Sequence, residues 1–193
     1  MVAVPVKTYT PEEYLELEVT STTRNEYRDG EIISMAGGTP THNELIGALT
    51  VILRLALKGK PLQVFITDQL LWIPDRSVYT YPDVMVVPRP VLLQEGRKDT
   101  VIQPIFIAEI LSNSPKNNDR GEKFADYRTI PSFQEYLLVD QTKPHVEQYL
   151  KQGANQWLFT EFDRLDDRFT LPSLGLELSL ADLYAEVEWE TST

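Results

Sequence analysis

The sequence contains no cysteine and only two histidines among its 193 residues. Disulfides and thiolate metal sites are therefore excluded, and a histidine-rich zinc site is disfavoured. Any metal site has to rest mainly on oxygen ligands, which favours Mg²⁺, Mn²⁺ or Ca²⁺. Long apolar runs are missing as well: none approaches the ~18 residues of a membrane span. The N-terminal Met-Val-Ala-Val-Pro-Val-Lys has no cationic segment followed by an apolar signal core. These absences point to a soluble, cytoplasmic protein with no membrane partner. Basic residues are scarce too, with 18 Lys and Arg against 29 Asp and Glu and a net charge of −11. That balance argues against a general nucleic-acid binder.

The charge is uneven. Glu161 to Thr193 holds nine acids and two bases, whereas Lys116 to Arg128 holds four bases and three acids. A local cationic patch is therefore compatible with the acidic whole. Trp72, Trp157 and Trp189 form no interleaved basic and aromatic pattern of the kind that binds single strands. At 42% hydrophobic and 24% charged residues the chain is globular, about one domain long, and able to bury a core without staples. There is no internal repeat, linker or low-complexity stretch.

Local signals order the chain. Thr10-Pro11-Glu12-Glu13 predicts a helix start with a capping box, running to about Glu18. Asp29-Gly30 between short strand-like runs predicts a hairpin turn. Thr41 to Lys58 predicts a longer helix with Leu45, Leu49, Ile52 and Ala56 on one face, ended by Gly59 and Pro61. Leu62 to Ile73 reads as one strand, bulged near Thr67-Asp68-Gln69, and Pro74 to Thr80 as a turn. Tyr81 to Val87 and Pro104 to Leu111 read as strands, joined by a polar connection. Ser112 to Pro115 reads as a loop. Asp119, with Glu122 behind it, predicts the cap of a helix running to about Thr129. Phe133 to Val139 and His145 to Lys151 read as two strands of a hairpin. Gln156 to Phe162 and Phe169 to Leu171 read as peripheral strands, Ser179 as the start of a last helix to about Val187, and the acidic end as a frayed, solvated face. The expected fold is an α/β sandwich whose flanking hairpins extend one sheet. It is one domain, with a core at about 41–140, an N-terminal helix and hairpin at 10–36, and C-terminal strands and a short helix at 145–187.

Two carboxylates stand where carboxylates are expensive. Asp83 lies in Tyr-Pro-Asp-Val-Met-Val-Val and Glu109 in Ile-Phe-Ile-Ala-Glu-Ile-Leu, both read as strands buried on both faces. An ionised group there needs a partner, and one divalent cation shared by both is the simplest. Strand alternation puts Ile107, Glu109 and Leu111 on one face, and Asp83, Met85 and Val87 on one face of the preceding strand. Asp119, Lys123 and Tyr127 recur at helical spacing and line one stripe. Lys123 could then bring its ammonium over the carboxylates.

Each residue also has a plainer reading. Asp83 could be a turn residue after Pro82. Lys123 could be an exposed helix charge paired with Asp119, worth only ~0.3–0.5 kcal/mol. Tyr127 more often belongs to a core, beside Phe124. Asp68 is either a third acidic ligand or the mark of a bulge. Glu26 is a surface strand residue unless it reaches the site. His42 is a helix N-terminal residue unless it contacts phosphate or water.

Several of these stretches, in this order, carry a resemblance. They are Glu26-Tyr27-Arg28-Asp29-Gly30-Glu31, Met35-Ala36-Gly37-Gly38, His42-Asn43, Tyr81-Pro82-Asp83-Val84 and Ala108-Glu109-Ile110-Leu111-Ser112. Asp119-Arg120-Gly121-Glu122-Lys123-Phe124 with Tyr127, and Gln134-Glu135-Tyr136-Leu137, complete the set. From about Tyr9 to Tyr184 the chain resembles the Uma-two family of restriction endonucleases, within the PD-(D/E)XK nuclease superfamily. The resemblance implies a restriction-endonuclease-like core, a mixed central sheet flanked by helices, with extra β-hairpins. It implies a Mg²⁺- or Mn²⁺-dependent endonuclease acting on DNA, with Asp83 and Glu109 as metal ligands and Lys123 as the third catalytic residue. It also raises a site role for Glu26. One departure stands out: Leu111 occupies the place of the superfamily's usual lysine, so the resemblance implies that Lys123 serves from the helix instead. Cutting both strands of a duplex generally takes two sites, which by analogy suggests a homodimer. Two alternatives stay open. One is a nuclease fold that binds without catalysis. The other is an assembly protein in which Glu109 and Lys123 form a buried ion pair.

Overall fold

A computed structural model describes residues 7–35, 37–112 and 119–189. Helix α1, Pro11–Thr20, starts at the expected capping box: the Thr10 hydroxyl accepts from Glu13 N, and Glu13 reaches back to Thr10 N. Strands β1, Asn25–Arg28, and β2, Glu31–Ser34, form the expected hairpin. Its turn uses positive φ at both Asp29 (43°) and Gly30 (97°), the combination that matches strand twist. A Cβ at Gly30 would also lie 3.3 Å from the Thr8 Cβ. Gly30→Ala is expected to cost about 1–2 kcal/mol, read as a lower urea midpoint with an unchanged slope.

Helix α2, Pro40–Ala56, is capped by Thr39. Strand β3, Leu62–Ile66, follows, then β4, Leu70–Ile73, a 3₁₀ turn at Pro74–Arg76, and β5, Val78–Thr80. The single bulged strand expected over Leu62 to Ile73 is thus two strands in two different sheets. Thr67 adopts a φ of 30°, which turns the chain out of the first sheet. The expected turn over Pro74 to Thr80 ends in β5, which pairs with both β1 and β4.

Strand β6, Val84–Pro88, the short β7, Thr100–Val101, and β8, Phe106–Leu111, come next. The loop expected over Ser112 to Pro115 lies, after Ser112, outside the described residues. Asp119–Lys123 is a π-helical turn leading directly into α3, Phe124–Tyr127. Asp119, expected as a cap, lies within that turn, and the helix ends at Tyr127 rather than near Thr129. The chain closes with β9, Glu135–Asp140, β10, Val146–Gly153, β11, Gln156–Phe162, β12, Arg168–Leu171, β13, Leu176–Ser179, and α4, Leu180–Leu183. Ser179 caps α4 as expected, but α4 ends well before Val187.

Six strands form the central sheet in the order β11-β10-β9-β8-β6-β3. It is mixed: β8 and β9 run parallel and the other neighbours antiparallel. The C-terminal hairpin extends this sheet as expected, but the N-terminal hairpin does not. It joins a second sheet, β2-β1-β5-β4-β7. Leu45, Leu49 and Leu53 of α2 pack with Leu180 and Leu183 of α4 against Val84, Val86, Ala108 and Ile110 on one face of the central sheet. Met85, Val87, Ile107 and Leu111, on the other face, pack against Leu71, Ile73, Val78 and Val101 of the second sheet and against Phe124 and Tyr127 of α3. Tyr14 of α1 covers the far side of the second sheet, stacked on Tyr27 and Tyr79. The alternation is why β8 has no exposed face: even positions meet α2 and odd positions meet the second layer.

Candidate active site

Asp83 sits one residue before β6, beside the middle of β8. The register Val84↔Ala108 brings it next to Glu109. The two are joined directly, since Asp83 N donates to Glu109 Oε2 at 3.2 Å. Asp83 Oδ2 accepts from Ile110 N at 2.8 Å and lies 3.2 Å from His42 Nε2. α2 places that imidazole because Thr39 caps the helix three residues earlier, starting it over the end of β6. Gly38 is required behind the ring: a Cβ there would lie 2.6 Å from His42 Nδ1.

Glu109 is 2% exposed. Its Oε1 accepts from the Tyr127 hydroxyl at 2.6 Å and from Lys123 Nζ at 3.3 Å. The π-helical turn makes this possible by bringing Lys123 and Tyr127 together over β8. Lys123 Nζ also lies 3.2 Å from Asp119 Oδ1 and 3.7 Å from Glu26 Oε1. Glu26 arrives from β1, where it accepts from the Thr80 hydroxyl. The second sheet therefore contributes a carboxylate to a site centred on the first.

Burial pushes the Glu109 carboxyl up to about 8, with Lys123 pulling it down and Asp83 and Asp119 pushing it further up. Burial acts the other way on Lys123, but Glu109, Glu26 and Asp119 outweigh it and hold the ammonium well above its ordinary value. His42 is also raised: burial lowers it, and the bond to Asp83 more than offsets that. The Tyr127 hydroxyl is raised by burial and then by Glu109, so it remains a donor.

These groups line an open cleft of about 1080 Å³ that includes Glu26, His42, Asp83, Glu109, Asp119 and Lys123. Of the seven residues singled out from sequence, Asp83, Glu109, Lys123, Tyr127, Glu26 and His42 come together. Asp68 does not. It sits on the turn between β3 and β4, 76% exposed, and pairs with Arg24 at 3.1 Å. The turn out of the sheet removes the shared strand face that would have aimed it inward.

The sequence reading missed two features. Asp119 pairs with Lys123 as their spacing allows, at 3.2 Å, but the pair is buried rather than exposed. Glu186 and Glu188 are exposed, as expected of a solvated acidic face, but with Trp189 they also line the cleft rim; Trp189 rests 5.6 Å from the Tyr184 ring. The aromatic Trp189 inside an acidic run was the available signal. Buried acid alone is not diagnostic. Glu135 is fully buried too, but Ser173 N, Ser173 Oγ and Gln148 Nε2 satisfy it.

Among the described residues, no three His, Asp or Glu side chains surround one metal position. Asp83 and Glu109 nonetheless fit a hard divalent cation. Four acidic side chains surround a single ammonium and one imidazole; Glu109 holds its proton below about 8, so a bound cation would take that proton's place. Mg²⁺ typically takes one or two carboxylates and completes its shell with water and phosphate.

A mixed sheet with an Asp just ahead of one strand, a Glu on the neighbouring strand and a helical Lys bonded to that Glu defines a restriction-endonuclease-like α/β protein. The chain belongs to the Uma2 family, described as "Putative restriction endonuclease", which it matches over residues 11–181. It is 42% identical over 161 residues to sll1609, an uncharacterized protein of Synechocystis, covering 83% of this chain and 91% of the relative. A second Synechocystis protein, slr1290, also uncharacterized, is 33% identical over 184 residues, covering 94% of each. A crystal structure from Anabaena variabilis, titled a "putative nuclease belonging to DUF820", superposes with a TM-score of 0.73 at 22% identity, covering 92% of this chain and 98% of that one. At that identity the superposition speaks for the fold.

Proposed function

We propose that the protein is a divalent-metal-dependent endonuclease that hydrolyses phosphodiester bonds in DNA. The observation that carries this reading is the junction of Asp83, Glu109 and Lys123 within hydrogen-bond or ion-pair reach on an open cleft. Asp83 and Glu109 would hold Mg²⁺ or Mn²⁺. When bound, the cation supplies Lewis-acid activation of the phosphate and of the attacking water.

The chain's own residues do the rest. Ile110 N and His42 orient Asp83, while Tyr127 and Asp83 N fix the Glu109 rotamer. Lys123 keeps a positive charge beside the carboxylate pair, where it stabilises the negative charge that gathers on phosphate oxygen in the transition state. Its position on the π-helical turn does the work that Leu111 cannot do from β8. Leu111 is part of the apolar cluster instead.

One observation favours a second reading, an assembly protein in which Glu109 and Lys123 form a buried ion pair. Protein donors alone already satisfy Glu109, through Tyr127, Lys123 and Asp83 N, so the carboxylate could serve a buried ion pair. Calorimetric titration with Mn²⁺, run beside nicking of supercoiled plasmid and of single-stranded DNA, separates the two. Saturable cation binding with cation-dependent nicking is expected. Absence of cation binding would assign the carboxylates to the ion pair and end the nuclease reading.

A further inference from the structure

We propose, resting on the nuclease reading above, that the cleft takes an unpaired strand of DNA rather than a duplex, with one base stacked on Trp189. The cleft is poor in positive charge. Lys123 is the one Lys or Arg among the described residues that line it, whereas Glu44, Glu186 and Glu188 line it too and are exposed. A duplex brings one negative charge per ~1.7 Å of its axis. Its two stiff backbones would have to approach these glutamates with a single ammonium to hold them. A single strand carries fewer charges per length and bends freely. It can set one phosphate at Lys123 and keep the next ones clear of the glutamates.

Trp189 supplies what the charges do not. An unpaired strand presents base faces that a duplex hides in its own stack, and an aromatic ring accepts any of them. Trp189 is 37% exposed at the cleft rim. The chain around it is anchored twice. Val187 packs on the core cluster beneath α2, and its N–H donates to Tyr184 O at 3.2 Å. The Tyr184 hydroxyl lies 2.8 Å from Asp140 O and 2.9 Å from His145 O, and its ring backs the indole at an interplanar angle of 36°. A fixed ring therefore supports the indole while part of it stays open. Gly37 and Gly38 line the same cleft without side chains, and a Cβ at Gly37 would meet nothing within 4 Å. At about 1080 Å³ the cleft exceeds the ~300–1,000 Å³ of a small-molecule pocket, which leaves room for more than one nucleotide. Trp189 and Lys123 are far apart along the chain, so no local basic and aromatic pattern announces the pair; the fold brings both to one cleft.

Fluorescence anisotropy tests this with one short labelled oligonucleotide, alone and annealed to its complement, titrated in Ca²⁺ and again in EDTA. A linear duplex is the right comparison, because negative supercoiling itself favours strand opening. The single strand is expected to bind at least ~10-fold tighter than the duplex. Its affinity should fall with salt at a logarithmic slope of about −0.7 to −1.4, the value for one or two phosphate contacts. Trp189→Ala should weaken the single strand about 10-fold and leave the duplex unchanged, and Trp189→Phe should keep the preference. Glu186→Gln/Glu188→Gln should tighten duplex binding more than single-strand binding, since the duplex carries the denser charge. Two results overturn the inference and leave the nuclease reading standing. One is a duplex bound as tightly as the single strand. The other is a Trp189→Ala variant that keeps its single-strand affinity or loses both forms equally. Binding of neither form, in Ca²⁺ or in EDTA, ends the nuclease reading and the inference with it.

Discussion

Asp83→Asn is expected to abolish cation binding and DNA cleavage together, while Lys123→Met is expected to abolish cleavage and keep the cation. Asp83 bridges the two halves of the site: its backbone N–H holds Glu109, and its carboxylate is held by Ile110 N and His42. The asparagine side chain is nearly isosteric and can keep the local bonds, so the fold should survive. What it loses is the negative charge a hard cation requires. A drop of about 10³-fold in nicking rate is the scale expected for removing one such electrostatic contribution. Lys123 acts differently. Removing its ammonium takes away a competing positive charge, so Mn²⁺ affinity should hold or rise, while the phosphate loses its stabilising partner and the rate falls about 10²–10³-fold. Calorimetry and plasmid nicking on the same preparations read the two effects apart. Full nicking activity in Lys123→Met would remove Lys123 from the chemistry and leave the metal pair standing.

Glu109→Gln is expected to inactivate the protein and, above pH 8, to stabilise it. The native carboxyl is pushed up to about 8 by burial, whereas an unfolded chain ionises it near the ordinary value of about 4.3. Between those two values the native state holds a proton that the unfolded state has lost. The stability this contributes is complete below about pH 4, declines as pH rises, and is gone once pH passes through the folded value. Wild type should therefore lose thermal stability steadily from pH 5 to 9. The glutamine variant carries no such titration, so its curve should be flatter and lie above wild type at pH 9. The gap should open as pH rises toward and through the folded value of about 8, and it is read as the difference in Tm between the two proteins. Mn²⁺ should raise the Tm of wild type and not that of the variant, since only the native carboxylate pair binds it. A variant less stable than wild type at pH 9 would mean that Glu109 is ionised in the native state and held by Lys123 as an ordinary buried pair.

Both outcomes follow from where the expensive charges lie, and that much was legible in the chain. Glu109 inside an apolar run, Asp83 after proline, and Lys123 and Tyr127 at one helical repeat are local facts. Strand alternation alone placed Glu109 on the face that carries Ile107 and Leu111, whereas Asp83, expected inside a strand, sits just ahead of one and turns to His42. The capping box at Thr10, the Asp29-Gly30 turn and the amphipathic α2 are likewise local, since each depends on residues within a few positions of one another.

Only the tertiary structure decided the rest. Leu62 to Ile73 has the composition of one strand, and the left-handed Thr67 that splits it between two sheets leaves no mark in hydrophobic pattern. That split sends Asp68 to the surface and builds the second layer, which delivers Glu26 to Lys123 from 97 residues earlier in the chain. The π-helical turn at Asp119–Lys123 is equally silent in sequence, because helical periodicity does not distinguish it from an ordinary first turn. The sequence by itself determined which residues could not be left unpartnered in the core. Their actual partners depended on packing two sheets and a helix end around them, because burial makes a charge costly everywhere but only long-range geometry chooses what neutralises it.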